Sequence, residues 1–230
     1  MPCIVIGGDA FMSNVPDELP WPAERRTLFN LKGDGNLFSP TWCSLKWLKD
    51  SWSYDDDRLA LEFQRAADKI IDSLGDNDVF RPDVLFIPIA YLYRHSLELK
   101  LKSFVKTQIK CRHLNDEEKD EIVKLLGKHD LENLWKCAKR GIEVRWPGAD
   151  RAPVKNVQGL IKDFHIVDCD GQMLRYSFDK DGKSNAESYP DDIDLLELKR
   201  AFGEVYMFLD SCHSGFSSDL EMQSEHMDGP

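Results

Sequence analysis

This sequence lacks the features that mark several large classes of protein. Its six cysteines stand singly and form no C-x-x-C pair, which argues against a zinc ribbon and against a disulfide framework. Its longest apolar run, residues 84–93, is about half as long as the ~20 residues of a membrane-spanning helix. Residues 1–11 contain no basic residue, so the charged start of a secretory signal is missing. We therefore expect a cytoplasmic protein without a membrane segment.

The composition indicates an ordered domain with an uneven charge. Hydrophobic residues make up 42% of the 230 positions, enough to bury a core without covalent crosslinks. The formal charge of −11 argues against indiscriminate binding to nucleic acid. Residues 81–155 nevertheless sum to +5, whereas residues 1–80 and 156–230 sum to −6 and −10. Such a basic middle third is consistent with an anion site or with a solvated lysine-rich helix face.

Apolar residues recur at steps of three and four after residue 56, which predicts helices. A long helix follows Asp83, and a later one is capped by Asp130 and ended by Gly141. The last helix has a seam typical of a bundle, formed by Leu195, Leu198, Phe202, Val205, Leu209 and Cys212. We therefore predict an all-α helical bundle over residues 57–214.

Three segments depart from this pattern. Residues 1–56 carry four of the six tryptophans among prolines and glycines, so we expect an irregular segment that packs on the bundle or presents a partner surface. Residues 168–190 form a polar insertion with two Asp-x-Asp-Gly turns, interpreted as solvated turns because the rest of a calcium loop is missing. For residues 215–230 we expect a flexible acidic tail.

The long helix carries the most distinctive polar pattern of the chain. Arg94, His95, Glu98 and Lys102 are spaced at steps of three and four, which places them on one side of the helix. Histidine exchanges a proton near neutral pH, and arginine or lysine neutralises a phosphate. A purely structural ion-pair ladder explains the same spacing equally well. His129, directly before a predicted helix start, and Arg175 are further candidates.

Three sequence strings together resemble a known family. They are LYRHSLELKLK at 92–102, KHDLENL at 128–134, and Arg175-Tyr176 near an Asp-Gly turn. In order and spacing they are similar to a subgroup of bacterial HEPN-domain proteins over residues 57–214. The resemblance implies an antiparallel up-and-down bundle, homodimerisation and, in many members, metal-independent RNase activity in abortive infection, toxin–antitoxin or CRISPR-associated defence. Other members are dimerisation or nucleotide-sensing modules without catalysis.

The chain departs from the family in one motif. Active HEPN RNases carry an arginine and a histidine separated by four to six residues, whereas Arg94-His95 and Arg112-His113 are adjacent pairs. Two hypotheses therefore stay open. One is an RNase or RNA-binding module, in contact with an antitoxin or another defence protein. The other is a catalytically inactive dimerisation or interaction module that binds a protein partner or a nucleotide.

The RNase hypothesis assigns roles to individual residues and needs neither a metal nor a cofactor. Its expected catalytic residues, converging across helices, are Arg94, His95, Glu98, Lys102 and His129. His95 or His129 would transfer the proton, while Arg94 and Lys102 would stabilise the phosphorane charge and Glu98 would orient them. The expected RNA-binding residues are Lys106, Lys110, Arg112 and Arg175.

Overall fold

The computed structural model describes residues 55–75, 82–111 and 116–227, and in this part of the chain it is helical without a β-strand. The helices are α1 (Asp56–Asp72), α2 (Pro82–Cys111), α3 (Asp116–Leu126), α4 (Leu131–Arg145), α5 (Ala152–Val167) and α6 (Leu195–Met227). The predicted all-α fold is confirmed. None of these described helices combines the length and apolarity that a bilayer span requires. The predicted tryptophan-rich segment 1–56 lies outside the described residues except for its last two positions.

Helices α1 and α2 run antiparallel, and so do α4 and α5, as contacts near opposite helix ends show. These contacts join Asp56 to Lys106 and Asp68 to Tyr93 between α1 and α2, and Trp135 to Gln158 and Glu143 to Arg151 at α4 and the start of α5. Helices α2 and α6 run in parallel, because Tyr93 stacks on Phe202 and Cys111 contacts Phe216 farther along. The predicted helical bundle is confirmed, with antiparallel pairs α1–α2 and α4–α5 and a parallel contact between α2 and α6.

Helix α2 lies at the centre of the bundle, where it contacts α1, α4 and α6. Its buried side chains occur on every face between Phe86 and Gln108, as in a helix surrounded by others. Arg94, Glu98 and Lys100 are among them, with exposed fractions of 2%, 2% and 0%. A buried charge is costly unless it is paired. The partners of these charges form the two polar clusters described below.

Helix α4 begins as predicted but does not end at Gly141. The side chain of Asp130 accepts a hydrogen bond from the Asn133 backbone N–H at 3.0 Å, which confirms the predicted cap. The helix then continues to Arg145. A Cβ atom at Gly141 would lie 2.4 Å from the side chain of Gln108 on α2. This glycine therefore permits the close approach of two helices and does not stop one.

The connection between α5 and α6 is the predicted polar insertion. It contains a short 3-10 helix, Asn185–Ser188, and an isolated antiparallel bridge between Phe178 and Ser184. Gly171 and Gly182 adopt φ angles of 80° and 79°, a left-handed conformation that favours glycine. Both Asp-x-Asp-Gly turns thus depend on their glycines.

The C-terminal segment differs from the prediction of a flexible tail. Helix α6 continues past residue 214 to Met227. Phe216 is 3% exposed and makes edge-to-face ring contacts with Phe104 and Trp146. Arg145 donates two hydrogen bonds to the carboxylate of Asp219. Residues 215–227 form a helix in place of the expected tail, because these contacts extend the bundle seam by another step of four beyond Cys212.

Candidate functional site

Glu98 is the centre of a buried charged cluster at the interface of α2 with the start of α4. Its Oε2 accepts a hydrogen bond from Nη1 of Arg94 at 2.9 Å. Its Oε1 lies 2.8 Å from Nζ of Lys102 and 2.8 Å from Nδ1 of His129. Burial alone would raise the pKa of Glu98, but the hydrogen bonds and charges of these donors outweigh burial and hold the pKa below its ordinary value. The carboxylate is therefore ionised near neutral pH.

Arg94 is the most enclosed cation of this cluster, with a side chain 3% exposed. Besides Glu98, its guanidinium binds the carbonyl oxygens of Asp168 at 3.1 Å and of His129 at 2.6 Å. Its Nε also lies 3.2 Å from Oδ2 of Asp168. Each nitrogen of the guanidinium thus donates to a protein acceptor, which holds Arg94 against Glu98 and the His129 backbone. The expected contact of Arg94 with a phosphorane stays a prediction.

Asp168 belongs to the same cluster, although the sequence indicated only a solvated turn. That interpretation was wrong, since its side chain is 0% exposed and Oδ1 accepts a hydrogen bond from the Met173 backbone N–H at 3.0 Å. The buried residues Val157, Ile161 and Phe164 step by four and three along α5, and one more step of four reaches position 168. This periodicity is the signal that predicts burial of Asp168. We call Arg94, Glu98, Lys102, His129 and Asp168 the Glu98 cluster.

Two histidines reach the outer side of the Glu98 cluster. The imidazole of His129 is 47% exposed, and its Nε2 makes no hydrogen bond with any described residue. His95 is half-buried between a parallel Tyr91 ring, with centroids 5.9 Å apart, and a perpendicular Phe63 ring at 4.5 Å. Burial lowers the pKa of His95, and the charge of Glu98 opposes this only partly. The His95 ring is therefore neutral near pH 7.

Arg175 extends this arrangement on the insertion. Its side chain is exposed, and its guanidinium carbon lies 5.4 Å from the centre of the Tyr91 ring. Because Tyr91 stacks on His95, the three flat groups of Arg175, Tyr91 and His95 follow one another. The structure thus brings the expected catalytic residues and one expected RNA-binding residue to one region.

Two other expected RNA-binding residues, Lys106 and Lys110, lie in a different groove. Lys106 binds Asp56 on α1 at 2.5 Å and, with Lys110, lines a groove of about 880 Å³ bordered by α1, α2 and α6. That groove also contains the acidic residues Asp55, Asp57, Asp210 and Glu221. Arg112 lies outside the described residues. Lys106 and Lys110 therefore belong to a groove of mixed charge and not to the Glu98 cluster.

A second charged cluster, in which Lys100 is buried while Asp57 and Asp210 are partly exposed, lies where α2 faces α1 and α6; we call it the Lys100 cluster. Nζ of Lys100 is 2.7 Å from Asp57 and 2.6 Å from Asp210, and it lies 5.1 Å from the Tyr206 ring centre. Burial by itself raises the pKa of Asp57, but hydrogen bonds from His213 and Lys100 lower it below the ordinary value. Lys100 lies in the basic segment 81–155, whose charge did not predict that this lysine is buried. The apolar residues on every side of position 100 are the signal that indicates it.

No protein-family model, no curated protein sequence and no solved structure matches this chain. The resemblance to HEPN-domain proteins therefore stays a prediction from the sequence strings. Function has to be inferred from the chemistry of the Glu98 cluster. That cluster offers a carboxylate-bound imidazole and a lysine, and the neutral imidazole of His95 lies on the same helix as Glu98; such groups are suited to proton transfer and to binding an anion.

Proposed function

We propose that this protein is a HEPN-like, metal-independent endoribonuclease in which His129 transfers the proton. The observation that carries this proposal is the contact of 2.8 Å between the buried carboxylate of Glu98 and Nδ1 of the half-exposed His129. An imidazole held by a carboxylate at one nitrogen and open to solvent at the other is suited to general acid and base catalysis. Among the described residues, His129 is the histidine with this combination.

The proposed reaction uses the 2′-hydroxyl of the RNA as its nucleophile. Nε2 of His129 accepts the 2′-hydroxyl proton, and Glu98 stabilises the imidazolium that forms. The 2′ oxygen then bonds to phosphorus while the bond to the 5′ oxygen breaks, which leaves a 2′,3′-cyclic phosphate. The imidazolium returns its proton to the departing 5′ oxygen. Lys102, whose ammonium has donors beyond its bond to Glu98, stabilises the phosphorane charge.

Charge supports an anionic substrate in this region. Arg175 is exposed and has no carboxylate partner among the residues described. Lys102 is 13% exposed at the surface side of Glu98. Homodimerisation, an antitoxin or other defence protein as partner, and a cytoplasmic location are implied by the resemblance to HEPN-domain proteins and belong to this proposal.

RNA cleavage in the presence of EDTA tests the proposal. Wild-type protein is compared with His129→Ala, His95→Ala and, as matched control, His165→Ala on α5, after circular dichroism has shown that all four are folded. We expect His129→Ala to lose about 10²- to 10⁴-fold in rate and His165→Ala to retain the wild-type rate. Products of the wild type should end in a 2′,3′-cyclic phosphate. Equal cleavage by His129→Ala, or no cleavage of varied RNAs by wild type, would refute the proposal.

One observation favours a second function, a catalytically inactive interaction module. Each of the three guanidinium nitrogens of Arg94 donates to a protein acceptor, namely Glu98, the Asp168 carbonyl or the His129 carbonyl, as expected of a structural ion-pair network. If this second function is correct, folded wild-type protein does not cleave RNA, and the His129→Ala variant binds the protein partner as tightly as the wild type does. Deletion of residues 1–56 then tests whether the tryptophan-rich segment binds that partner.

A further inference from the structure

The insertion exposes two aromatic side chains near the Glu98 cluster. Tyr176 is 61% exposed and Phe178 is 62% exposed, and they are the exposed aromatic residues among those that the structure describes. The remaining described aromatic side chains are buried or half-buried. Large apolar rings gain free energy when they leave water. Tyr176 and Phe178 lie two positions apart on one loop and outside the core. Binding of a ligand that covers their rings would therefore be favourable.

The backbone beneath these rings is held in place by hydrogen bonds. The side-chain amide of Asn185, which is 5% exposed, donates to the carbonyl oxygens of Tyr176 at 2.7 Å and of Met173 at 3.3 Å. Its backbone N–H donates to the Ser177 carbonyl at 3.0 Å. The hydroxyl of Tyr189 donates to Met173 at 2.9 Å. The loop thus presents its rings in an organised conformation, which lowers the entropic cost of binding.

The same loop connects directly to the proposed catalytic region. Arg175, adjacent to Tyr176, lies over Tyr91, which stacks on His95. The nearby acid Asp179 is engaged within its own turn, where its carboxylate accepts hydrogen bonds from the backbone N–H groups of Asp181 at 2.9 Å and Lys183 at 2.8 Å. A cation and two exposed rings are therefore neighbours in the chain, on a loop that Arg175 joins to Tyr91 and His95.

We infer that residues 175–178 form a platform on which unpaired bases of an RNA strand stack, an inference that rests on the proposed function. Single strands bind proteins through aromatic rings that stack on bases and through cations that bind phosphates. In a duplex the faces of the bases are covered by their neighbours. A protein partner would need a broad apolar patch, whereas these rings are interrupted by Ser177 and followed by Asp179 and Lys180.

Binding of a non-cleavable RNA tests this platform separately from catalysis. The probe is a fluorescein-labelled 12-nucleotide 2′-O-methyl RNA, which lacks the attacking 2′-hydroxyl, and binding is followed by fluorescence anisotropy. Tyr176→Ala and Phe178→Ala are each expected to weaken binding about tenfold, as the loss of one stacked base does. The conservative variants Tyr176→Phe and Phe178→Tyr should bind like wild type. Met207→Ala, which removes an equally exposed apolar side chain from α6, is the control.

The outcomes separate failure of the platform from failure of the proposed nuclease. Wild-type binding of the probe with no loss in the alanine variants overturns the platform and leaves the nuclease proposal standing. Equal affinity for the same sequence in a duplex also overturns it. Absence of both cleavage and binding overturns both. Loss of binding in the two alanine variants, with His129→Ala still binding but not cleaving natural RNA, supports both.

Discussion

Nδ1 of His129 lies 2.8 Å from Oε1 of Glu98, although the two side chains differ widely in exposure, at 47% and 2%. The carboxylate is enclosed by Arg94 and Lys102, while the imidazole extends toward solvent. This pairing gives the surface histidine a fixed orientation that a free surface side chain does not have. It also makes the stability of the protein depend on the ionisation of a buried group.

Replacing Glu98 with glutamine is expected to change how stability depends on pH. The pKa of Glu98 in the folded protein lies below its ordinary 4.5, so its contribution is present above about pH 4.5 and is lost as the pH falls through the folded pKa. Glu98→Gln should cost about 3–5 kcal/mol at pH 7, because buried cations lose a partner, and less at pH 3. Urea unfolding between pH 3 and 7, with exposed Glu225→Gln as control, measures this; a pH-independent cost would contradict it.

His95 is expected to titrate below the ordinary value for histidine. Burial against Tyr91 and Phe63 lowers its pKa from 6.5, and protonation is therefore less favourable in the folded than in the unfolded chain. Its contribution to stability is present above about pH 6.5 and is lost as the pH falls through the folded pKa. NMR titration of the ring protons, assigned by comparison with His95→Gln, measures the midpoint. A midpoint at or above 6.5 would contradict the burial argument.

Gly171→Ala and Gly182→Ala are expected to differ although both glycines have nearly the same φ. A Cβ at Gly182 meets open space. The free energy of unfolding of Gly182→Ala should therefore fall only by the cost of the left-handed conformation, about 1–2 kcal/mol. A Cβ at Gly171 would lie 3.1 Å from Nη1 of Arg94 and should cost more, because it displaces the guanidinium that holds His129. Chemical denaturation measures both. Equal losses of stability in the two variants would contradict this prediction and show that the Arg94 side chain moves aside at no cost.

In the Lys100 cluster, removal of the lysine is expected to destabilise the protein less than removal of the two acids. Lys100→Met should change the free energy of unfolding by less than about 1.5 kcal/mol, because Asp57 and Asp210 are 30% and 57% exposed and water can hydrate them. The double variant Asp57→Ala and Asp210→Ala leaves a fully buried ammonium and should cost about 3–5 kcal/mol. Urea unfolding of the two variants measures the difference. Equal costs would contradict the burial of Lys100.

Truncation is expected to show that α6 stabilises the bundle beyond residue 214. A chain ending at Ser214 loses Phe216, and removal of a buried phenylalanine costs about 3–5 kcal/mol. A chain ending at Leu220 keeps Phe216 and Asp219 and should unfold near the wild-type temperature. Thermal unfolding followed by circular dichroism compares the three chains. Wild-type stability of the shorter chain would restore the prediction of a flexible tail.

The sequence determined the local features of this protein. Steps of three and four from Leu195 to Cys212 predicted the seam of α6, and Asp130 predicted the start of α4. The contact of Glu98 with Arg94 and Lys102 was also predictable, because the pitch of a helix places residues four apart side by side. Such features depend on backbone geometry within about two turns and need no knowledge of the remaining fold.

Tertiary structure alone decided which side chains meet across the bundle. His129 reaches Glu98 from 31 residues away, and Asp168 reaches Arg94 from 74. Lys100 and Lys110 both lie in the basic segment 81–155, yet Lys100 is fully buried and Lys110 is exposed. Helical periodicity shows which residues share a face of one helix. Which faces pack against each other depends on how all the helices are arranged around the common core. Burial, and with it the chemistry available to each charge, is therefore a property of the assembled bundle.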